Sequence, residues 1–192
     1  MAFNYFWFKL IYKKIFFKKI MMHFTIDNLI KIKNQINTSL IELKKNKTPK
    51  IIAVSKTFPL ESILPLIDFG HRHFGENKVQ ECIDKWKDIK SKNSDIKLHL
   101  IGKLQSNKVK LAVDIFDYIH SVDNEKLAMK LSEEIIKTKK KIKVFIQVNI
   151  GKEEQKSGIN VEHLEKFYKY CKDLNLDVAG LMCIPPFNEN PE

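Results

Sequence analysis

Apolar residues along this chain recur with two periods that take turns. Between Thr25 and Lys47 they stand at Leu29, Ile32, Ile36, Leu40 and Leu43, a spacing of three and four that lines one face of a helix. Thr25-Ile26-Asp27 offers its N-cap, and Pro49 stops it. Residues 51–55, Ile-Ile-Ala-Val-Ser, then form a short apolar run of the kind that makes a buried strand, bounded by Pro59. The switch repeats to the end of the chain. Helices are predicted over 60–69 (ending at Gly70), 77–89, 106–113, 124–139 and 161–174. Strands are predicted over 71–74, 97–101, 118–122, 142–150 and 176–181.

This is a leading helix followed by strict strand–helix alternation, which demands parallel strands joined by helical crossovers. An open doubly wound sheet and a β/α barrel both satisfy it. No GxGxxG or P-loop follows the first strand, so a nucleotide-binding open sheet loses support. Polar residues collect just after the strand ends: Lys56-Thr57, Gly75-Glu76-Asn77, Gly102-Lys103, Ser121-Val122-Asp123 and Asn149. Barrel enzymes place their sites at that end. The pattern thus predicts an α/β fold, a TIM-type barrel with about six of the usual eight strands, preceded by an N-terminal helix.

Residues 1–22 read MAFNYFWFKLIYKKIFFKKIMM. Lysines at 9, 13, 14, 18 and 19 break the apolar stretches, so no membrane span of about 20 apolar residues fits. Nor is there an uninterrupted signal-peptide core. A basic interfacial segment is one reading. The preferred one takes Met21 or Met22 as the start and residues 1–21 as an extension, leaving residues 22–192 as one incomplete barrel domain.

The chain has 192 residues, 44% of them hydrophobic, enough for one ordinary core. Its net charge of +11 comes almost wholly from lysine, with Arg72 the sole arginine. Specific nucleic-acid readers lean on arginine for bidentate contacts, so the lysines read as solvated helix surface rather than a nucleic-acid interface. Cys82, Cys171 and Cys183 show no zinc spacing, and a sparse odd count fits a reducing, cytoplasmic compartment. His71 and His73 would share a strand face, but no third ligand accompanies them at a recognisable spacing, and no metal is assigned.

Lys56 is the residue that calls for chemistry. It closes the first strand, and lysine is seldom buried. One reading is a side chain that leaves the strand end for water. The other is an amine whose pKa is depressed at the inner end of a core strand, which makes it a nucleophile toward aldehydes.

A family resemblance decides between them. Residues 53–57 (AVSKT), 74–77 (FGEN) with 79–81 (VQE), 99–102 (HLIG), 104–108 (LQSNK), 119–123 (IHSVD), 147–149 (QVN), 156–158 (KSG) and 180–182 (GLM) follow one another in order. From about Ile51 to Met182 the chain resembles the pyridoxal phosphate homeostasis proteins, which are similar to the barrel domain of alanine racemase. The resemblance implies that Lys56 holds pyridoxal 5′-phosphate as a Schiff base. It puts Asn77 near the cofactor ring, and His99 and Met182 at or beside the pocket. It matches Lys156 to a secondary cofactor or regulatory site. On the residues alone, His99 reads equally as a buried core histidine and Lys156 as a surface lysine, while Glu76 and Gln80 read as caps of the following helix. Small departures from the family pattern are Lys78 for Tyr, Lys103 for Pro and Leu98 for Trp.

The resemblance further implies a seventh and eighth strand carrying the phosphate and pyridine contacts, expected beyond residue 192, so the chain is expected to be a fragment with weakened cofactor retention. Arg72 matches no phosphate ligand. The implied function is a cytoplasmic, monomeric carrier in pyridoxal phosphate homeostasis, not an enzyme, with pyridoxal-phosphate-dependent apoenzymes as recipients. The alternative is a small pyridoxal-phosphate-dependent racemase or lyase using His99, Tyr118 or His120 as second acid/base. A lysine-driven binder of polyanions or membrane surfaces is the third reading.

Overall fold

The computed structural model describes residues 23–151 and 157–185. They fall into two compact units, one within residues 1–51 and 57–72, the other within 52–56 and 73–192.

The first unit holds helices α1 (Phe24–Glu42) and α2 (Leu60–Asp68), which touch each other. Ile26 and Leu29 of α1 and Ile63 and Ile67 of α2 are buried. The α1 cap is His23, not Thr25: its ring accepts from the Thr25 amide at 3.4 Å. The helix also ends at Glu42, short of Lys47, because Lys44 turns left-handed at φ 51°. Of the predicted apolar stripe only Leu29 is buried, while Ile32 and Leu43 face solvent. Gly70 ends α2 at φ 95°, a conformation glycine adopts without cost. Arg72 closes the same end, its Nη1 donating to the carbonyls of Ile67 at 2.7 Å and His71 at 3.0 Å.

The second unit is a parallel sheet with helices. Its strands are β1 (Ala53–Val54), β2 (His73–Glu76), β3 (Lys97–Leu100), β4 (Tyr118–Val122), β5 (Lys143–Asn149), β6 (Ile159–Asn160) and β7 (Asp177–Met182). Its helices are α3 (Val79–Lys92), α4 (Val109–Ile115), α5 (Glu125–Thr138) and α6 (Leu164–Asp173). All pairings are parallel, and the strands run β1-β2-β3-β4-β5 with β7 joined to β5. This order never reverses. A doubly wound sheet needs a reversal, and right-handed crossovers without one place the helices of this unit on the same face. The winding is that of a β/α barrel.

Six long-range strands match the expectation. The seventh, β6, was not legible, because residues 157–160 carry no apolar run. It exists because Gly158, at φ 132°, brings the chain onto the end of β5: a Cβ there would lie 2.7 Å from the Asn149 amide nitrogen. β2 also begins later than predicted, at His73, which takes Gly75 and Glu76 into the strand.

Alternation sorts the side chains of the sheet. On the outer face Phe74 packs its ring 4.7 Å from that of Trp86 on α3. Leu98, Leu100, Ile119, Val144 and Ile146 are fully buried there. The helices meet this face with stripes such as Val79, Cys82 and Trp86 on α3 and Leu127, Ala128 and Leu131 on α5. Burial pushes the Cys82 thiol well above its ordinary range, with Glu76 adding to it, and raises Cys171 to about 11, so neither is a reactive thiol. Polar ties fix the register. Asp117 accepts from the Leu98 amide (2.9 Å) and from Lys90 of α3 (2.6 Å), and Asn124 caps α5 through the Leu127 amide (2.9 Å).

The loops after β2 and β3 meet at Gly102, where a Cβ would overlap the Asn77 carbonyl oxygen and come 2.8 Å from its Cα. Gly102→Ala must push two backbones apart. We expect a loss of about 1–3 kcal/mol, read as a lower urea midpoint with unchanged m-value.

Candidate functional site

Lys56 stands one residue past Ser55, which extends the β1–β2 ladder through its amide to the Gly75 carbonyl at 2.9 Å. The Ser55 hydroxyl faces outward, donating to Glu76 Oε1 at 2.7 Å. Lys56 follows as the first residue of the turn that leaves β1. It is exposed, and no ion pair among the described residues involves it. The next residue, Thr57, has φ 65°. A β-branched residue in that region is a genuine outlier, costing on the order of 1–3 kcal/mol, of the kind stored at functional sites.

Asn77 occupies the same register level as Lys56. Each follows by two residues a paired position, since Val54 pairs with Gly75. Asn77 also lines a cleft of about 380 Å³ with Lys78, Val79, Gln80, Lys103, Gln105 and Lys108, at the C-terminal ends of β2 and β3. Met182 ends β7 opposite Gln147, half-buried on the inner face. Lys156 lies outside the described residues.

His99 is buried at mid-β3, within a row of three rings. His73 Nδ1 lies 2.9 Å from His99 Nε2, and His99 Nδ1 lies 2.9 Å from His120 Nε2. Tyr118 stacks on His99 at 4.2 Å between centroids, and Phe145 on His120 at the same distance. A neutral imidazole has one donor and one acceptor, so both bonds must donate in one direction along the row. Burial pushes His120 down to about 4, which keeps that end neutral. The sequence reading named His99 and His120 separately and missed the row. The signal was there: predicted strands two, three and four each carry a histidine at an inward-facing position, but only the register aligns them.

Glu76 is likewise not the helix cap it resembles. It faces outward, fully buried, and its Oε1 accepts from Ser55 Oγ (2.7 Å), Lys85 Nζ (3.0 Å) and Trp86 Nε1 (2.9 Å). The α3 cap residue, Lys78, makes no side-chain cap bond. Among the described residues no cluster of three or more His, Cys, Asp or Glu could hold a metal, and no helix is long and apolar enough to cross a membrane.

A family model described as the alanine racemase N-terminal domain matches residues 28–192. The chain belongs to this family. It is 39% identical over 165 residues to the pyridoxal phosphate homeostasis protein of Haemophilus influenzae, covering 85% of this chain and 70% of that one. It is 40% identical over 144 residues to the protein of that name from Aquifex aeolicus, covering 74% of this chain and 62% of that one. Among solved structures, PipY of Synechococcus elongatus with pyridoxal phosphate bound superposes with a TM-score of 0.66 at 36% identity, covering 80% of this chain and 72% of that one. An alanine racemase of Clostridium difficile, 15% identical with a TM-score of 0.58, covering 79% of this chain and 40% of that one, shares the fold.

The histidine row carries a pH signature. Unfolded, His120 titrates near 6.5; folded, near 4. Below about 6.5 the unfolded chain takes up a proton that the folded chain refuses. This contribution to stability is intact above pH 6.5, falls as pH drops, and levels off below about 4. Urea midpoints measured from pH 7.5 to 4.5 should decline, and His120→Gln should flatten the decline.

Proposed function

We propose that this protein binds pyridoxal 5′-phosphate through Lys56 and holds it in reserve without turning over an amino acid. The observation that carries the reading is Lys56 itself: an exposed primary amine just past the C-terminal end of β1, the end at which barrel sites are built, in a relative of a protein solved with that cofactor.

The residues fit the group in kind. Pyridoxal phosphate, when bound, would supply an aldehyde carbon that is electrophilic toward a primary amine. Lys56 would supply that amine. Asn77, His99 and Met182 would be the further residues to hold it, and Lys156 would serve a secondary site. What favours storage over turnover is the state of the candidate acid/base groups. Both ring nitrogens of His99 are engaged by His73 and His120, and His120 is buried and neutral. A racemase or lyase needs such a group poised to exchange protons with substrate. Two buried cysteines, with no disulfide among the described residues, favour a reducing cytoplasm. There the chain would act as a monomer, handing its cofactor to pyridoxal-phosphate-dependent apoenzymes.

The test is the absorbance spectrum of purified protein with added pyridoxal phosphate, after gel filtration, for this chain and Lys56→Ala. A retained near-ultraviolet band that disappears in Lys56→Ala is expected. A band that persists at one dominant site without Lys56 would overturn the assignment. Release of keto acid or racemised product from added alanine would favour the enzyme reading.

A further inference from the structure

β1 pairs with β2 through only Ala53 and Val54. Beyond Val54 the chain is held mainly by side chains, and they converge on the residue before Lys56. The Ser55 hydroxyl donates to Glu76 Oε1 at 2.7 Å and lies 3.3 Å from the Gly75 carbonyl. The Ser55 carbonyl accepts from Lys85 Nζ at 2.8 Å, and the same ammonium bonds Glu76 Oε1 at 3.0 Å. Trp86 Nε1 completes the hub at 2.9 Å. With its amide bonded to Gly75, every polar group of Ser55 is engaged.

This is not how stability alone is built. Glu76 is fully buried, and its second oxygen has no hydrogen-bond partner. A buried ion pair is weak evidence for stability, because an apolar replacement of the same shape often does as well. What the hub does, and an apolar cluster could not, is fix the peptide that carries Lys56. Ser55 is clamped on one side, and Thr57 is turned left-handed on the other. Together they fix the backbone on both sides of Lys56.

We infer that Glu76, acting through Ser55 and Lys85, is a positioning residue for the Lys56 amine. The inference rests on the reading of Lys56 as the aldehyde-binding amine. Without the hub the flexible lysine stem starts from a wandering Cβ, and misplacement of a reacting group by an ångström is enough to slow it substantially.

The test is borohydride trapping of pyridoxal phosphate on the full chain, with the adduct at each lysine quantified by peptide mass spectrometry, so that surface lysines of the same molecule are the internal reference. The variants are Ser55→Ala, Lys85→Met, their double, and Glu76→Gln, which keeps an acceptor oxygen. Wild type should label Lys56 preferentially. Ser55→Ala and Lys85→Met should each lower the initial labelling rate at Lys56 about tenfold relative to the other lysines. The double should fall little further, because both act through one clamp. Glu76→Gln should retain more of the rate than either single variant. Loss of urea stability with unchanged preference for Lys56 would make the hub merely structural and overturn the inference. Absence of preference in wild type would overturn the Lys56 reading itself, and the inference with it.

Discussion

A parallel strand can reach its neighbour only by a crossover long enough to return the chain to the same end of the sheet. Here each crossover within the second unit sets the next strand on the same side of the last, from β2 through β5 to β7. With right-handed connections that leaves one face to the helices and the other to the interior. Everything specific about the site follows from this division. Phe74 and Glu76 go outward to Trp86, while His73 and Gly75 go inward. A one-residue slip of β2 would exchange them, placing a carboxylate among the inner rings and a histidine in the helix layer.

The two faces handle polarity differently. The outer face buries one carboxylate and answers it with three donors on a single oxygen. The inner face buries imidazoles that satisfy one another in a row and stack on Tyr118 and Phe145. The outer arrangement ties the carboxylate to the backbone next to Lys56 through Ser55 and Lys85. The inner one pairs both ring nitrogens of His99 with neighbouring imidazoles, and burial keeps His120 neutral.

Alternation of apolar patterns made the element order legible, because each buried strand and each helical stripe is written locally. The strand at 118–122 coincides with β4, and Asn124 caps α5 where the pattern placed the helix start. What was not legible depends on register. Glu76 looks like a cap because it stands three residues before a helix; only the pairing of Ala53 with Phe74 and Val54 with Gly75 aligns it with Ser55. The histidine row has the same character: His73, His99 and His120 are separated by 26 and 21 residues, and their contact is a product of the strand stagger. β6 was missed for a third reason, since a glycine's approach to Asn149, rather than any apolar run, creates it. Lys56 stood out in the sequence because a lysine closing an apolar strand is itself a local anomaly.

Storage and catalysis place opposite demands on such an amine. A carrier needs one nucleophile at a defined place and an inner wall that neither donates nor accepts protons readily. A catalyst needs a second titrating group free to move a proton across the bound molecule. In this chain the hydrogen bonds are concentrated on the backbone neighbour of Lys56, while the imidazoles of β2, β3 and β4 are committed to each other. A mobile acid/base would have to break the row and leave a ring nitrogen buried without its partner, at a cost of about 1–3 kcal/mol. A bonded backbone behind Lys56 and imidazoles that satisfy one another are the two features on which the proposed storage role rests.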